Sequence, residues 1–259
     1  MRRTRWAWLQ ASLCLLALLP LLPGCGGSGG SVLISKQQEI SIGQNSAAQL
    51  EQKYGVSQDA AMNSRLQSIG MDIVAATGQA SDWPWRFRVL NTSEVNAMAL
   101  PGGFVYATKG LMQQPGLTDA ELAGVLGHEA SHVTRRHSAR LIERSLGAEL
   151  LVSIATGGSS ADVQRAAGIV SDLILLRGYR GFENDSDRWG TIYAARAGYD
   201  PAGLLNFLRQ LKAREGREPA QWTAFLQTHP LTSDRINRLE NLVARIRAGQ
   251  VPEARPGAR

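Results

Sequence analysis

His128-Glu129-Ala130-Ser131-His132 places two imidazoles four residues apart, with a carboxylate beside the first. On an α-helix, at about 100° per residue, positions four apart lie about 40° from each other on one face, one turn along. Two neutral imidazoles so placed can reach one zinc ion, and the adjacent carboxylate can take a proton from a water that the ion activates. A helix carrying these three residues for packing alone is the weaker reading. Glu129 falls within the apolar stripe of Leu122, Leu126 and Val133, where an unpaired carboxylate is costly. The chain has four histidines (His128, His132, His137 and His229), and its two cysteines, Cys14 and Cys25, lie near the N-terminus. A metal in the body of this chain therefore takes nitrogen and oxygen donors.

Two histidines do not complete a zinc site. His137 follows His132 by five residues, and on a continuous helix it points about 140° away from it. The glycine that turns the chain back in longer zinc motifs is absent, since Arg135 holds that position. His137 reads as a packing or hydrogen-bonding residue. Glu183 and Asp187 stand at i and i+4, where like charges repel unless a cation sits beside them. Glu183 can bind zinc directly, and Asp187 can accept a ring N–H from a ligating histidine or handle a proton. A solvated acidic helix start, favoured by the helix dipole, accounts for the same spacing. The spacing alone leaves both open.

These residues need elements to hold them. Residues 36–54 and 58–77 read as amphipathic helices broken at Gly55, and 84–91 alternates as a strand does. Two short strands, 95–100 and 103–108, flank Pro101-Gly102-Gly103. Their edge is expected to be exposed and able to take an extended peptide as an added strand. Thr118-Asp119-Ala120-Glu121 is a capping box that starts a helix running to about 145. Residues 146–178 are apolar and small, but Asp162, Arg165 and Asp172 interrupt them, so two packed helices are expected rather than a membrane hairpin. Helices follow at 183–197, from Asp200-Pro201 to about 213, and at 232–247. The fold class is α+β: a mainly helical domain with a small antiparallel or mixed sheet next to the HExxH helix.

Composition narrows the function. The chain has 259 residues, 44% hydrophobic and 19% charged, which is globular rather than disordered. Its formal charge of +6 includes Arg2, Arg3 and Arg5 at the extreme N-terminus. Setting these aside leaves 25 basic against 22 acidic residues with no basic block, which excludes a nucleic-acid partner. After those arginines come the apolar stretch 6–22, then Leu22-Pro23-Gly24-Cys25 and a Gly/Ser run. This is the pattern of a lipoprotein signal peptide over 1–24, with Cys25 as the lipidated residue and 25–35 as a flexible spacer. Gly26 in place of a retention aspartate favours the outer membrane. The organisation expected is then one mainly helical domain over 36–247, carrying the candidate metal site, and a frayed tail over 248–259.

Four motifs in order, NAMALPGGFVYATKGL (96–111), LTDAELAGVLGHEASHVTRRHS (117–138), ENDSDRWG with RAGYDP (183–201) and THPLTSDRI (228–236), resemble the HtpX-like zinc metallopeptidase family, and within it the periplasmic lipoprotein branch. The resemblance implies a gluzincin fold holding one Zn²⁺ per chain through His128, His132 and Glu183. It also implies Glu129 as base and a functional Asp187. The implied activity is endopeptidase cleavage of unfolded or misassembled envelope proteins, by a Gram-negative protein lipid-anchored on the periplasmic side of the outer membrane. A non-catalytic assembly factor or chaperone-like lipoprotein with a structural or latent zinc site is the alternative. His229, held extended before Pro230, is expected to donate to the oxyanion or to cap the metal at rest, with Arg235 adding positive charge nearby. Packing alone is the other reading of His229.

Overall fold

Capping and turn chemistry set the boundaries of the fold in the computed structural model, which describes residues 32–174, 180–214 and 223–250. Ser35 accepts from the Gln38 N–H, and the Gln38 side chain accepts from the Ser35 N–H in return, opening α1 (Lys36–Tyr54). Asp59 caps α2 (Ala60–Thr77), which ends at Gly78 with a left-handed φ of 70°. Three strands follow: β1 (Arg86–Leu90), β2 (Ala97–Leu100) and β3 (Phe104–Thr108). They form a mixed sheet in the order β1-β3-β2, with β3 parallel to β1 and antiparallel to β2. After the single turn α3 (Lys109–Met112), Thr118 and Glu121 make the expected capping box at the start of α4 (Asp119–Thr134). The remaining helices are α5 (His137–Ser145), α6 (Ala148–Ala155), α7 (Ser160–Ile174), α8 (Arg180–Arg196), α9 (Gly203–Arg214), α10 (Thr223–Thr228) and α11 (Ser233–Arg247).

The main core lies between the sheet and helices α2, α4, α8 and α9, where Leu66, Ile73, Val89, Val105, Leu122, Leu126, Ile192 and Leu208 are all fully buried. Each such side chain contributes about 1.5–3 kcal/mol by leaving water. The apolar stretch expected to form two helices does so as α6 and α7. These pack with α5 against Ile34 and Ile42 through Ile142, Ile154, Ala166 and Ala167. Among the described residues no helix is long and apolar enough to cross a membrane.

α4 and α8 approach backbone to backbone. A Cβ on Gly127 would lie 2.5 Å from the Gly190 carbonyl oxygen, and one on Gly190 would lie 2.4 Å from the His128 nitrogen. Only glycine permits that separation, and it brings the HExxH turn of α4 against the turn of α8 that carries Asp187.

Two expectations are corrected. The helix from 118 does not run unbroken to 145: it stops at Thr134, and Arg136 takes a left-handed φ of 53° before α5 begins. That conformation costs a side-chain-bearing residue roughly 1–2 kcal/mol. It is held by the Arg136 guanidinium, which donates to Glu39 Oε2 at 2.8 Å and to the Ile34 carbonyl. Glu39 is fully buried in α1, and burial pushes its carboxyl up to about 6 despite the opposing charge of Arg136. The second correction concerns the sheet edges. β1's outer edge is already bonded, the Val89 carbonyl accepting from Ser57 N–H and the Val89 N–H donating to Asn63 Oδ1. On the other edge, every residue of β2 is buried. The edges expected to be exposed are therefore bonded in part, at Val89, or lined by buried residues.

The segment 1–24 expected to be a lipoprotein signal, Cys25, and most of the expected spacer lie outside the described residues, as does the expected tail beyond 250.

Candidate active site

The face of α4 predicted to carry His128, Glu129 and His132 points into the molecule, and His128 and Glu129 are almost wholly buried. α8 places Glu183 in its first turn and Asp187 one turn on, both buried beside α4. The solvated-helix reading of that acidic pair is thereby set aside. The site is completed by the segment between α10 and α11. The His229 N–H donates to the Phe225 carbonyl at 2.7 Å, and its ring rests on Phe225 with centroids 4.9 Å apart. α10 was not foreseen from the sequence.

Four donor atoms converge. His128 Nε2 lies 3.1 Å from His132 Nε2, 3.2 Å from His229 Nδ1 and 3.4 Å from Glu183 Oε2. Glu183 Oε2 is 3.0 Å from His229 Nδ1, and Glu183 Oε1 is 3.5 Å from His132 Nε2. Nitrogen and oxygen donors about 2.0–2.1 Å from a tetrahedral zinc stand about 3.4 Å from one another, so the spacing fits that ion. Two buried oxygens, Glu183 Oε1 and Glu129 Oε1, have no hydrogen-bond partner, and a cation with an attendant water would satisfy both.

Charge points the same way. Burial disfavours a proton on His128, yet the carboxylates of Glu183 and Asp187 raise it to about 10. His132 is held well below its ordinary value, by burial and by the charge on His128 beside it. Burial would raise Glu183, but His229 and His128 hold it well below the usual carboxylate range. The cluster thus accommodates positive charge at its centre, and a metal cation can take the place of the proton on His128.

Asp187 accepts on both oxygens. Oδ1 is 2.9 Å from His128 Nδ1, while the Arg235 guanidinium donates to Oδ2 through Nε and to Oδ1 through Nη2, each at 2.7 Å. Burial opposes ionisation of Asp187, but Arg235 and His128 hold it lowered. Arg235 reaches further than expected: its Nη1 donates to the Pro230 carbonyl at 2.9 Å and lies 3.1 Å from Glu183 Oε2. It ties the loop carrying His229 to the carboxylates of α8 rather than standing as a free charge. His229 turns its other nitrogen toward the base, Nε2 lying 3.3 Å from Glu129 Oε1. The ring therefore fills the space between Glu129 and the other donors.

His137 also departs from the sequence argument. The break at Arg136 brings its Nδ1 within 3.2 Å of His132 Nδ1, the nitrogen facing away from the cluster, and its Nε2 within 3.2 Å of Asp185 Oδ2. It hydrogen-bonds, as expected, and remains outside the donor set. Asp185, missed in the sequence, lies two residues past Glu183 and accepts from Arg135 Nε at 2.8 Å. Burial would raise its carboxyl, but His137 and Arg135 hold it at about 2.

The family model that describes peptidase family M48, the zinc-dependent metallopeptidases, matches residues 60–243. The chain is 32% identical over 226 residues to the beta-barrel assembly-enhancing protease of Escherichia coli, covering 83% of this chain and 45% of that protein. It is 30% identical over 168 residues to the mitochondrial metalloendopeptidase OMA1 of Schizosaccharomyces pombe, covering 65% of this chain and 49% of that one. With the metalloprotease YcaL of Escherichia coli it shares 28% identity over 166 residues, 62% of this chain and 63% of the relative. The chain thus spans about half the length of most of these relatives. A match over most of the chain, one that includes the HExxH helix and the acidic turn of α8, means that this chain belongs to peptidase family M48.

Proposed function

We propose that this chain is a zinc endopeptidase acting on unfolded or misassembled proteins of the cell envelope, and that it rests in a closed state with His229 at the fourth donor position. His128, His132 and Glu183 would hold the ion, which when bound would supply Lewis acidity toward a water and a scissile carbonyl. Glu129, the buried carboxylate beside the donors, would be the group that takes up a proton and returns it to the departing amine. Asp187, itself held by Arg235, accepts the Nδ1–H of His128 and keeps Nε2 free for the metal. Arg235 also anchors the Pro230 carbonyl, so the His229 loop has a fixed place to return to.

The observation that carries this reading is Glu129. It is a buried carboxylate outside the donor set, its Oε1 3.3 Å from His229 Nε2, and a purely structural zinc site has no use for it. His229 beside it supplies the reason for latency: substrate and water need the space its ring fills. The relatives named for beta-barrel assembly support envelope proteins as substrates. Cys25 and its Gly/Ser spacer support a lipid anchor on the periplasmic face of the outer membrane.

The second reading, an assembly factor with a structural zinc, draws on the same four-donor arrangement. Zinc-loaded variants separate the two with casein as substrate. His229→Ala should cleave faster than wild type, and adding Glu129→Gln should retain zinc while lowering that rate by about 10²–10⁴. A rate loss of about 10²–10³ in His229→Ala would instead assign His229 to the oxyanion. No cleavage by either the wild type or His229→Ala would favour the structural zinc.

A further inference from the structure

The two histidines of the HExxH helix are each met at their second ring nitrogen, but by different means. His128 meets a carboxylate directly, in the order His128–Asp187–Arg235. His132 meets another imidazole, in the order His132–His137–Asp185–Arg135. Each series ends in an aspartate of the same helical turn paired with an arginine.

Proton bookkeeping fixes the second series. For His132 to offer Nε2 to a metal, its proton must sit on Nδ1 and be donated. The atom it faces is His137 Nδ1, at 3.2 Å, which must therefore be bare and accepting. The His137 proton then sits on Nε2, where Asp185 Oδ2 at 3.2 Å receives it. Two further contacts hold the His137 ring in this pose, and a third holds its acceptor. The ring stacks on Phe182 with centroids 4.4 Å apart and an interplanar angle of 12°, Ser186 Oγ lies 3.2 Å from Nδ1, and Arg135 holds Asp185. Phe182, Asp185 and Ser186 all come from α8, so His137 joins the helix that offers His132 to the helix that offers Glu183.

We propose that His137 is a positioning residue of the metal site: through Asp185 it fixes the tautomer and the ring orientation of His132, as Asp187 does for His128. The left-handed turn at Arg136, tied to Glu39, is what carries His137 to that place. This rests on the zinc site described above and adds to it a requirement outside the donor set. Outer partners of metal-ligating histidines are generally worth about 10–100-fold in metal affinity.

The test is zinc affinity, measured by competition with a chromogenic chelator on the full chain. His137→Phe keeps a ring to stack on Phe182 but has no acceptor, and it should bind zinc about 10–100-fold more weakly. His137→Asn loses the ring but offers an oxygen near the position of Nδ1, and it should recover most of that loss. If His137 serves packing alone, the order reverses, with Phe silent and Asn damaging, and the proposal falls. Asp185→Ala, at a partly exposed position, gives an independent reading should His137→Phe fail to fold. Weaker zinc binding there supports the proposal, and unchanged binding overturns it. Wild-type protein that binds no zinc would remove the metal site and this inference together, whereas wild-type binding matched by His137→Phe removes the inference alone.

Discussion

Gly190→Ala tests whether the backbone contact between α4 and α8 sets the geometry of the donors. The added methyl would stand 2.4 Å from the His128 nitrogen and 2.6 Å from the Gly127 carbonyl carbon. Ordinary contact begins near 3.4 Å, so the helices must part by about 1 Å, and both obstructing atoms are backbone, which cannot rotate aside. Overpacking of this kind costs about 1–3 kcal/mol of stability. The larger effect falls on the site, because His128 and His132 ride on one helix while Glu183 rides on the other. A displacement of about 1 Å is of the size that costs about 10²-fold when reacting groups must meet. Zinc affinity should fall by one to two orders of magnitude, and casein cleavage in the His229→Ala background should fall with it. Gly168→Ala is the control: it lies inside α7 with nothing within 4 Å of the new methyl, and should raise stability by about 0.5–1 kcal/mol without touching zinc. A Gly190→Ala protein that folds and binds zinc as tightly as wild type would show that this contact does not set the donor spacing.

Two further predictions concern other parts of the chain. Glu39 is raised from its ordinary 4.5 to about 6, so between those pH values the folded chain keeps a proton that the unfolded chain has lost. Stability therefore falls as pH rises through that window, by on the order of 2 kcal/mol, with the full cost present above it. Urea titrations from pH 4.5 to 6.5 should show wild type losing that much relative to Glu39→Gln, and parallel curves would refute the assignment. Cys25→Ser should abolish acylation and leave either a released protein or an unprocessed precursor. A variant still acylated and fractionating with outer membrane contradicts the anchor.

The sequence by itself determined what depends on neighbours a few residues apart. The HExxH face, the capping box at Thr118 and Glu121, the i, i+4 pair Glu183 and Asp187, and α1 to the residue all follow from helical period and end-capping. Contacts that depend on where a helix stops escaped it. On an unbroken helix His137 points away from His132, and nothing in Arg135-Arg136 announces a left-handed turn. That turn exists because Glu39, 97 residues earlier, holds the Arg136 side chain. The sequence likewise marked His229 as suited to a fixed site without saying which atoms it meets. Its Nδ1 reaches Glu183, 46 residues before it, because α11 carries Arg235, which clasps both Pro230 and Asp187. Local periodicity decides which residues share a face. Only the packing of one helix on another, here permitted by the missing side chains of Gly127 and Gly190, decides which faces meet.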